Sequence, residues 1–449
     1  MQRRRFLNQL LLSSGAVMLG SQCRRSGPEE KTPEQEEGSQ IAGKSIAGTI
    51  KEPARDIPVV ETADVLVIGG GPSGVAAAIA ASRTGARTIL AERYNHLGGL
   101  WTGGLVLPLL STHAINQQNS MTRTLHGIGG EILEKLEEIG MAIHDINPVV
   151  DPEATKYVLE VMLKESGVMP LYHCWASNVI VESNAIKAVL LETKSGRVAI
   201  RPKTVIDCTG DGDILHLAGE EYDIMNYELG LVHRLGNIDR INKDLAGDRD
   251  LNIGGETPIP SVNWVNMVGG DYEDALDFRR LSELQQKHRI EIWEGVQEIR
   301  SVPGYEAVFL LDTAAQQGVR MSRILKGEYR LTLEDSMTFK SFDDNIGISG
   351  AWTSLLYQSR RVPMQERPMW QIPYRALLPQ KTKNLLVAGR CFSFEQDLFQ
   401  DARIIGTCLV TGHGAGAGAA LAANSGNAVQ ELDVKQIQKT LLAQDAYLG

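Results

Sequence analysis

The chain has 449 residues and a formal net charge of −10, with 43% hydrophobic and 22% charged residues. That length carries one large or two moderate domains around a substantial core. The acidic balance, with no basic stripe along the chain, excludes a nucleic-acid partner.

At the N-terminus, Arg3, Arg4 and Arg5 precede Phe6-Leu7, and an apolar stretch runs from about Leu10 to Gly20. It is shorter than the ~20 apolar residues that a membrane-spanning helix needs. The order Arg-Arg-x-Phe-Leu resembles a bacterial twin-arginine export signal, so export of the folded protein by that machinery to the periplasm or cell envelope is expected. Cys23 follows the apolar stretch and is a candidate lipid anchor, although Gln22 stands where such sites carry a small residue. From Arg24 to about Asp56 the chain is rich in Glu, Gly, Ser and Pro and reads as a flexible tether. The globular part begins near Val59.

Asp64-Val-Leu-Val-Ile68 is an apolar run, β-branched at Val65, Val67 and Ile68, as a strand buried on both faces should be. Gly69-x-Gly71-x-x-Gly74 follows at once, with Pro72 and Ser73 between the last two glycines. Gly69 permits a turn that a Cβ would block, Gly71 lets the backbone approach a pyrophosphate, and Gly74 lets the next helix pack on the strand. Ala76, Ala77, Ala78, Ala80 and Ala81 make that helix narrow, and its N-terminus offers N–H groups to phosphates. Thr88–Ala91 is a second strand. Glu92 ends it, 18 positions after Gly74 (92 − 74), where an acid bonds a ribose hydroxyl. A glycine pattern alone is weak; strand, turn, helix, strand and acid together predict a dinucleotide site.

Further on, the Gly98-Gly99 pair predicts another close backbone approach. Gly127–Gly140 reads as a helix with Ile128, Ile132, Leu133, Leu136 and Ile139 on one face. Asp151-Pro152 starts a second helix to about Glu165, Asp as N-cap and Pro at the first position. Short strands follow at Leu171–Val181, Ile186–Glu192 and Arg197–Arg201, the last two joined by a turn at Lys194-Ser195-Gly196. A further strand, Thr204–Asp207, runs into Cys208-Thr209-Gly210-Asp211-Gly212-Asp213, a second glycine-rich turn. Residues 222–379 carry aromatic and basic side chains suited to a substrate region, among them Trp264, Trp293, Tyr305, Trp352 and Trp370. Asn384–Ala388 is another buried strand ending in Gly389-Arg390. Ile404–Ala423 is a helix of small residues, its glycines and His413 favouring a packed interior over a membrane span. Asp433–Leu448 reads as a capped amphipathic helix. The five cysteines include no CxxC pair, so no metal or iron–sulfur ligand set is expected.

Taken in order, GGGPSG with Glu92, LGG at 97–99, IDCTGDGD at 206–213, GVRMSRILKGEY at 318–329, IPYR at 372–375 and NLLVAGR at 384–390 make the chain resemble one family from Asp64 to Ala423. It is the FAD-dependent oxidoreductase family of the glutathione-reductase-like flavoprotein superfamily, related to fumarate-reductase-type and heterodisulfide-reductase-subunit-A-like flavoproteins. The resemblance implies an α/β fold: a Rossmann-like FAD-binding domain, with a parallel sheet plus a small antiparallel sheet, and an inserted α+β substrate domain. On that reading residues 1–25 are the signal and 26–58 the linker. Residues 59–110, 165–220 and 380–449 bind FAD, while 111–164 and 221–379 form the cap.

The resemblance also implies site roles. Gly69, Gly71, Pro72, Ser73 and Gly74 would hold the pyrophosphate of a non-covalent, extended FAD. Glu92 and Arg93 would face the adenosine ribose, Ala176 the adenine through its backbone, and Gly98, Gly99, Thr209, Gly210 and Asp211 would flank the dinucleotide. Gly389-Arg390 stands where relatives have Gly-Asp near the ribityl chain. The helix after Arg403 would aim its N-terminus at the flavin, with Arg403 stabilising charge on the reduced ring. The Cys391–Gln400 loop lacks the histidine of many relatives, so no proton donor carries over there. A covalent flavin link through His96 is set aside because its spacing to the glycines differs. With one dinucleotide fingerprint, the substrate is expected to exchange a hydride with flavin directly. A small polar molecule such as a hydroxy acid or sugar fits, anchored by Arg320, Arg323, Arg375 and Arg403, with Tyr329 and Tyr374 as proton relays. The electron partner stays open, and the alternative is a flavin electron carrier or binding protein without small-molecule turnover.

Overall fold

In a computed structural model, the described residues are 48–110, 112–115, 120–145, 147–247, 251–270, 272–350 and 369–449. The expected export signal, Cys23, most of the tether and Trp352 lie outside them. Residues 48–58 form no regular element. Strand β1 then runs Val59–Ile68, starting five residues before the expected Asp64, because its first half pairs with a neighbouring strand. Helix α1, Pro72–Arg83, is buried from Ser73 to Ala81. A helix apolar all round must be covered on every side. Strand β2, Thr88–Ala91, lies parallel to β1.

Helix α2, Gly127–Glu138, buries the expected stripe except Ile139, which falls past its end and is exposed. Helix α3, Pro152–Glu165, starts as its sequence demands: the Asp151 carboxylate accepts from the Ala154 N–H. The predicted strand Leu171–Val181 is two strands. Met169–Leu171, β3, joins β2 at one edge of the main sheet, and Trp175–Glu182, β4, lies at the other edge. Between them His173 and Cys174 donate to the carbonyls of Tyr94 and Glu92, drawing the chain across the end of β2. β4 pairs antiparallel with β5, Ala185–Thr193, which in turn pairs with β6, Gly196–Asp207. β6 merges two expected strands. Proline is compatible with extended backbone, and β1 runs beside the whole stretch with Ala63 opposite Pro202.

The second layer centres on β7, Tyr227–Gly236, paired antiparallel with β8, Asn263–Val268. Across this sheet lies α4, Phe278–Ser301, a helix not foreseen because its apolar stripe is thin: only Leu284, His288, Ile292 and Val296 are buried. Ile292 packs with Leu231 and Trp264, and Val296 with Leu235 and Val265. β9, Phe309–Thr313, and β10, Gly318–Val319, complete the sheet on β7. Trp264, Tyr305 and Trp370, expected as substrate-region aromatics, are core side chains instead, whereas Trp293 is exposed.

The chain then returns to the first layer. β11, Leu385–Val387, adds to β6, giving parallel strands in the order β3-β2-β1-β6-β11, with β5 and β4 antiparallel on the early half of β6. Helix α5, Ile405–Ser425, lies along α1. Helix α6, Val434–Ala443, is capped by Asp433 and buries Ile437 and Leu441. Among the described residues no single helix is long and apolar enough to cross a membrane.

The α1–α5 approach is set by small residues. A Cβ at Gly412 would collide with the Ser73 backbone, and one at Gly416 with the Ala77 carbonyl and the Ala80 side chain. Backbone cannot yield as a flexible side chain can. Gly416→Val should therefore lower unfolding free energy by about 3 kcal/mol or more, read from denaturant melts; a loss within the range of surface substitutions would refute this packing.

Candidate functional site

The first glycine turn is closed by two glycines and open at the third. Gly69 takes φ +100°, donates to the Ala91 carbonyl at 2.8 Å, and passes so close to Cys208 that a Cβ would overlap its carbonyl. A Cβ at Gly74 would overlap the Gly69 carbonyl. Gly71 is the N-cap of α1 with Pro72 at N1, and a Cβ there meets nothing within 4 Å. The open space thus lies where first-turn N–H groups lack intrahelical partners and the helix dipole is positive. Such an opening has the shape and sign of charge that suit a phosphate group. Ser73 is wedged behind it, against Gly389 and Gly412.

The groups expected around adenosine gather beside this turn. Glu92 is buried, and its carboxylate accepts from Gly70 N at 2.5 Å and Tyr94 N at 2.8 Å. Each oxygen keeps a lone pair for a ribose hydroxyl. Gly98 N donates to Gly70 O, and Gly99 lies against Gly71, so the second glycine pair extends the first turn. The Arg93 guanidinium stacks on Tyr94 and Trp175, at 5.0 and 5.1 Å. Ala176, next in β4, is buried.

The Thr209–Asp213 loop is pinned from beneath. The buried Asp207 carboxylate accepts from Thr209 N, Thr209 Oγ1 and Leu215 N. Asp211 accepts from Arg390 Nη2 at 2.6 Å and Ser322 Oγ at 2.8 Å, with Arg93 at 3.7 Å. Burial acts to raise its pKa, but Arg390 and Arg93 outweigh this and hold it below the ordinary value. Arg390 Nε also donates to the Gly210 carbonyl, so its guanidinium turns back onto this loop rather than outward along the ribityl position. Arg323, expected as a substrate anchor, braces the same loop through Asp211 O and Asp213. Burial, then the charges of Asp211 and Asp207, push Asp213 up to about 6.

At the N-terminal end of α5 the structure brings together Arg403 and Arg320, both expected, with residues the sequence did not single out. Arg403 Nη2 donates to Gln400 Oε1 at 2.5 Å, and Gln400 Nε2 donates to the Tyr227 hydroxyl at 3.0 Å. Arg320 lies over the Tyr227 ring at 5.6 Å and pairs with Glu228 at 2.7 Å. Burial and then the Arg320 charge pull Arg403 down to about 9. Gln400 could have been suspected from its place before a helix N-terminus; Tyr227 and Glu228 carried no local signal.

The other expected catalytic side chains lie apart. Tyr329 donates to Asp335 and accepts from Lys340, and Arg375 holds Asp344 at 2.9 and 3.2 Å while stacking on Tyr329. Among the described residues neither shares a hydrogen bond, ion pair or ring contact with Arg403. Tyr374 donates to the Val429 carbonyl and lies against Gly418, about 20 Å along α5 from its N-terminal end. That corrects the expectation of a relay: its hydroxyl is core. His96 sits between Leu97 O, Thr102 and Gln316. His413 is buried against Gln444, burial pulling it down to about 4. Burial raises the thiols of Cys208, Cys391 and Cys408, so none is a thiolate at neutral pH. No cluster among the described residues could hold a metal ion.

Two substitutions separate cradle from scaffold. Gly71→Ala should fold within about 0.5 kcal/mol of wild type yet retain far less dinucleotide, measured by flavin absorbance per polypeptide; full retention would refute the cradle. Asp211→Asn leaves Arg390 without its counter-charge and should destabilise by about 2 to 3 kcal/mol. Because the Asp211 pKa is lowered in the folded state, this contribution is complete at neutral pH and lost as pH falls through that lowered value. Melts of both proteins against pH should converge in acid.

A profile described as FAD dependent oxidoreductase matches residues 64–231 and 249–441, well over half of the chain. Thiamine thiazole synthase of Metallosphaera sedula is 28% identical over 180 residues, which are 38% of this chain and 60% of that protein. 3-Oxosteroid 1-dehydrogenase of Mycobacterium tuberculosis is 32% identical over 125 residues, 26% of this chain and 20% of that protein. The matches thus span less than two thirds of these relatives. Among solved structures, a geranylgeranyl bacteriochlorophyll reductase-like protein of Thermoplasma acidophilum aligns with TM-score 0.44 and 15% identity, covering 85% of this chain and 83% of that one. On the span of the profile match, the chain belongs to the FAD-dependent oxidoreductase family.

Proposed function

We propose that the protein exchanges a hydride between FAD and a small polar molecule, outside the cytoplasm. The observation that carries this reading is Arg403: a half-buried guanidinium with its Nε enclosed, beside the N-terminus of α5, bonded to a neutral amide and making no ion pair among the described residues. FAD, when bound, supplies the two-electron chemistry. The chain supplies the surroundings. The Gly71 cradle and first-turn N–H groups of α1 hold phosphate, and Glu92 with the Gly98-Gly99 loop orients the adenosine end. Arg403 and the α5 terminus place positive charge where a reacting molecule or the reduced ring carries negative charge. Gln400 fixes the guanidinium and Tyr227 in one arrangement. The twin-arginine reading of Arg3–Leu7 adds export and takes the enzyme away from the cytoplasmic nicotinamide pool.

Purified protein should be yellow and release its flavin into the supernatant on acid precipitation. Anaerobic addition of small hydroxy acids or sugars, without nicotinamide, should bleach the visible bands. A flavin that responds only to a redox protein would favour the electron-carrier reading, and colourless protein after soaking in FAD would defeat both. Replacing Arg3 and Arg4 by Lys should leave the protein in the cytoplasm; unchanged export would remove the twin-arginine assignment.

A further inference from the structure

We infer that the molecule taken at the α5 end carries a carboxylate or a similarly compact anionic group, received by Arg403 with Arg320 beside it. The inference rests on the hydride-exchange reading and narrows its substrate class, choosing acids over neutral sugars.

The argument is one of charge and acceptors. A guanidinium presents five N–H donors and stays protonated. Among the described residues Arg403 has one acceptor, the neutral Gln400 amide, and its enclosed Nε has none. The other enclosed arginines are built differently. Arg234 holds Asp312 and Asp151, Arg323 holds Asp213 and Arg390 holds Asp211. A buried charge left unpaired is costly, so a fold keeps one where a ligand completes it.

The surroundings add positive charge rather than cancel it. Arg320 repels Arg403, and Glu228 neutralises only one of the two guanidinium groups. Asp401, on the preceding turn, offsets less of this charge than Arg320 adds. The dipole at the α5 N-terminus has the same sign as the arginines. Tyr227 supplies a further polar contact. Its oxygen accepts from Gln400, its hydroxyl also meets that of the exposed Tyr272, and the two rings stand edge-on at 5.1 Å. A sugar hydroxyl offers neutral acceptors and leaves the excess charge in place. A carboxylate offers two oxygens in the geometry of the guanidinium fork and cancels it.

The test titrates the purified protein with lactate and malonate against lactamide and malonamide, with glucose as the neutral polyol. Two readouts are followed: the flavin visible spectrum and the melting temperature, which needs no turnover. The acids should perturb both, and the amides and glucose should not. Arg403→Gln should weaken acid binding at least about tenfold, with Arg403→Lys recovering part of it. Amides binding as well as acids, no acid binding at all, or Arg403→Gln binding malonate like wild type would each overturn the inference; the last would leave Arg403 serving the flavin alone. Should Arg403→Gln fail to fold, the acid–amide comparison on wild type decides. Should the protein hold no flavin, the hydride reading falls by itself, and the melting comparison still decides whether the site takes anions.

Discussion

The site depends on how closely α5 can lie on α1. Two helices normally stand 8–10 Å apart because side chains separate them. Here Gly412 and Gly416 leave no Cβ between the α5 backbone and the carbonyls and backbone of α1. The contact has two consequences. It holds Ser73, and so the first turn of α1, between Gly389 and Gly412. It also places the α5 N-terminus seven residues beyond the crossing at Gly412 (412 − 405), about 10 Å along the axis. One backbone contact thus sets the distance between the cradle at Gly71 and the charged cluster at Arg403.

The arginines stand in two different settings. On the cradle side, Arg390, Arg93 and Arg323 are engaged with Asp211, Asp213 and the loop carbonyls. Those pairs keep a glycine-rich loop in one shape, and their charges are largely internal. At the α5 end the pattern reverses. Arg403 and Arg320 lie close enough to repel, held by an amide, a phenol and one carboxylate. Where each arginine meets its own acid the charges cancel; at the α5 end two guanidinium groups share one carboxylate among the described residues. That distinction explains why Arg323 and Arg375 read as candidates in sequence and act as braces in the fold.

Much of the fold was legible locally. The β1–α1–β2 unit, the Asp151 and Asp433 caps, and the identity of α5 follow from residue patterns within about a dozen positions, because hydrophobic period, capping and glycine placement are short-range effects. The differences among the strands originate in long-range pairing. β1 and β6 are longer than expected because each supports the other, and the 171–181 stretch divides because its residues bond to Glu92 and Tyr94. α4 has a different cause: a helix that buries four of its 24 residues leaves little periodic signal.

By itself the sequence determined the chemistry of the cradle: which glycines must lack a Cβ, where the acid of the second strand falls, and that small residues line the last long helix. Those properties belong to single residues and their near neighbours. Only the tertiary structure decided which arginines are free to act. That depends on which carboxylate each one meets across 78 residues for Arg234 and Asp312, 110 for Arg323 and Asp213, or 179 for Arg390 and Asp211. A charge is cancelled by whatever lies beside it in space, and chain order does not record that.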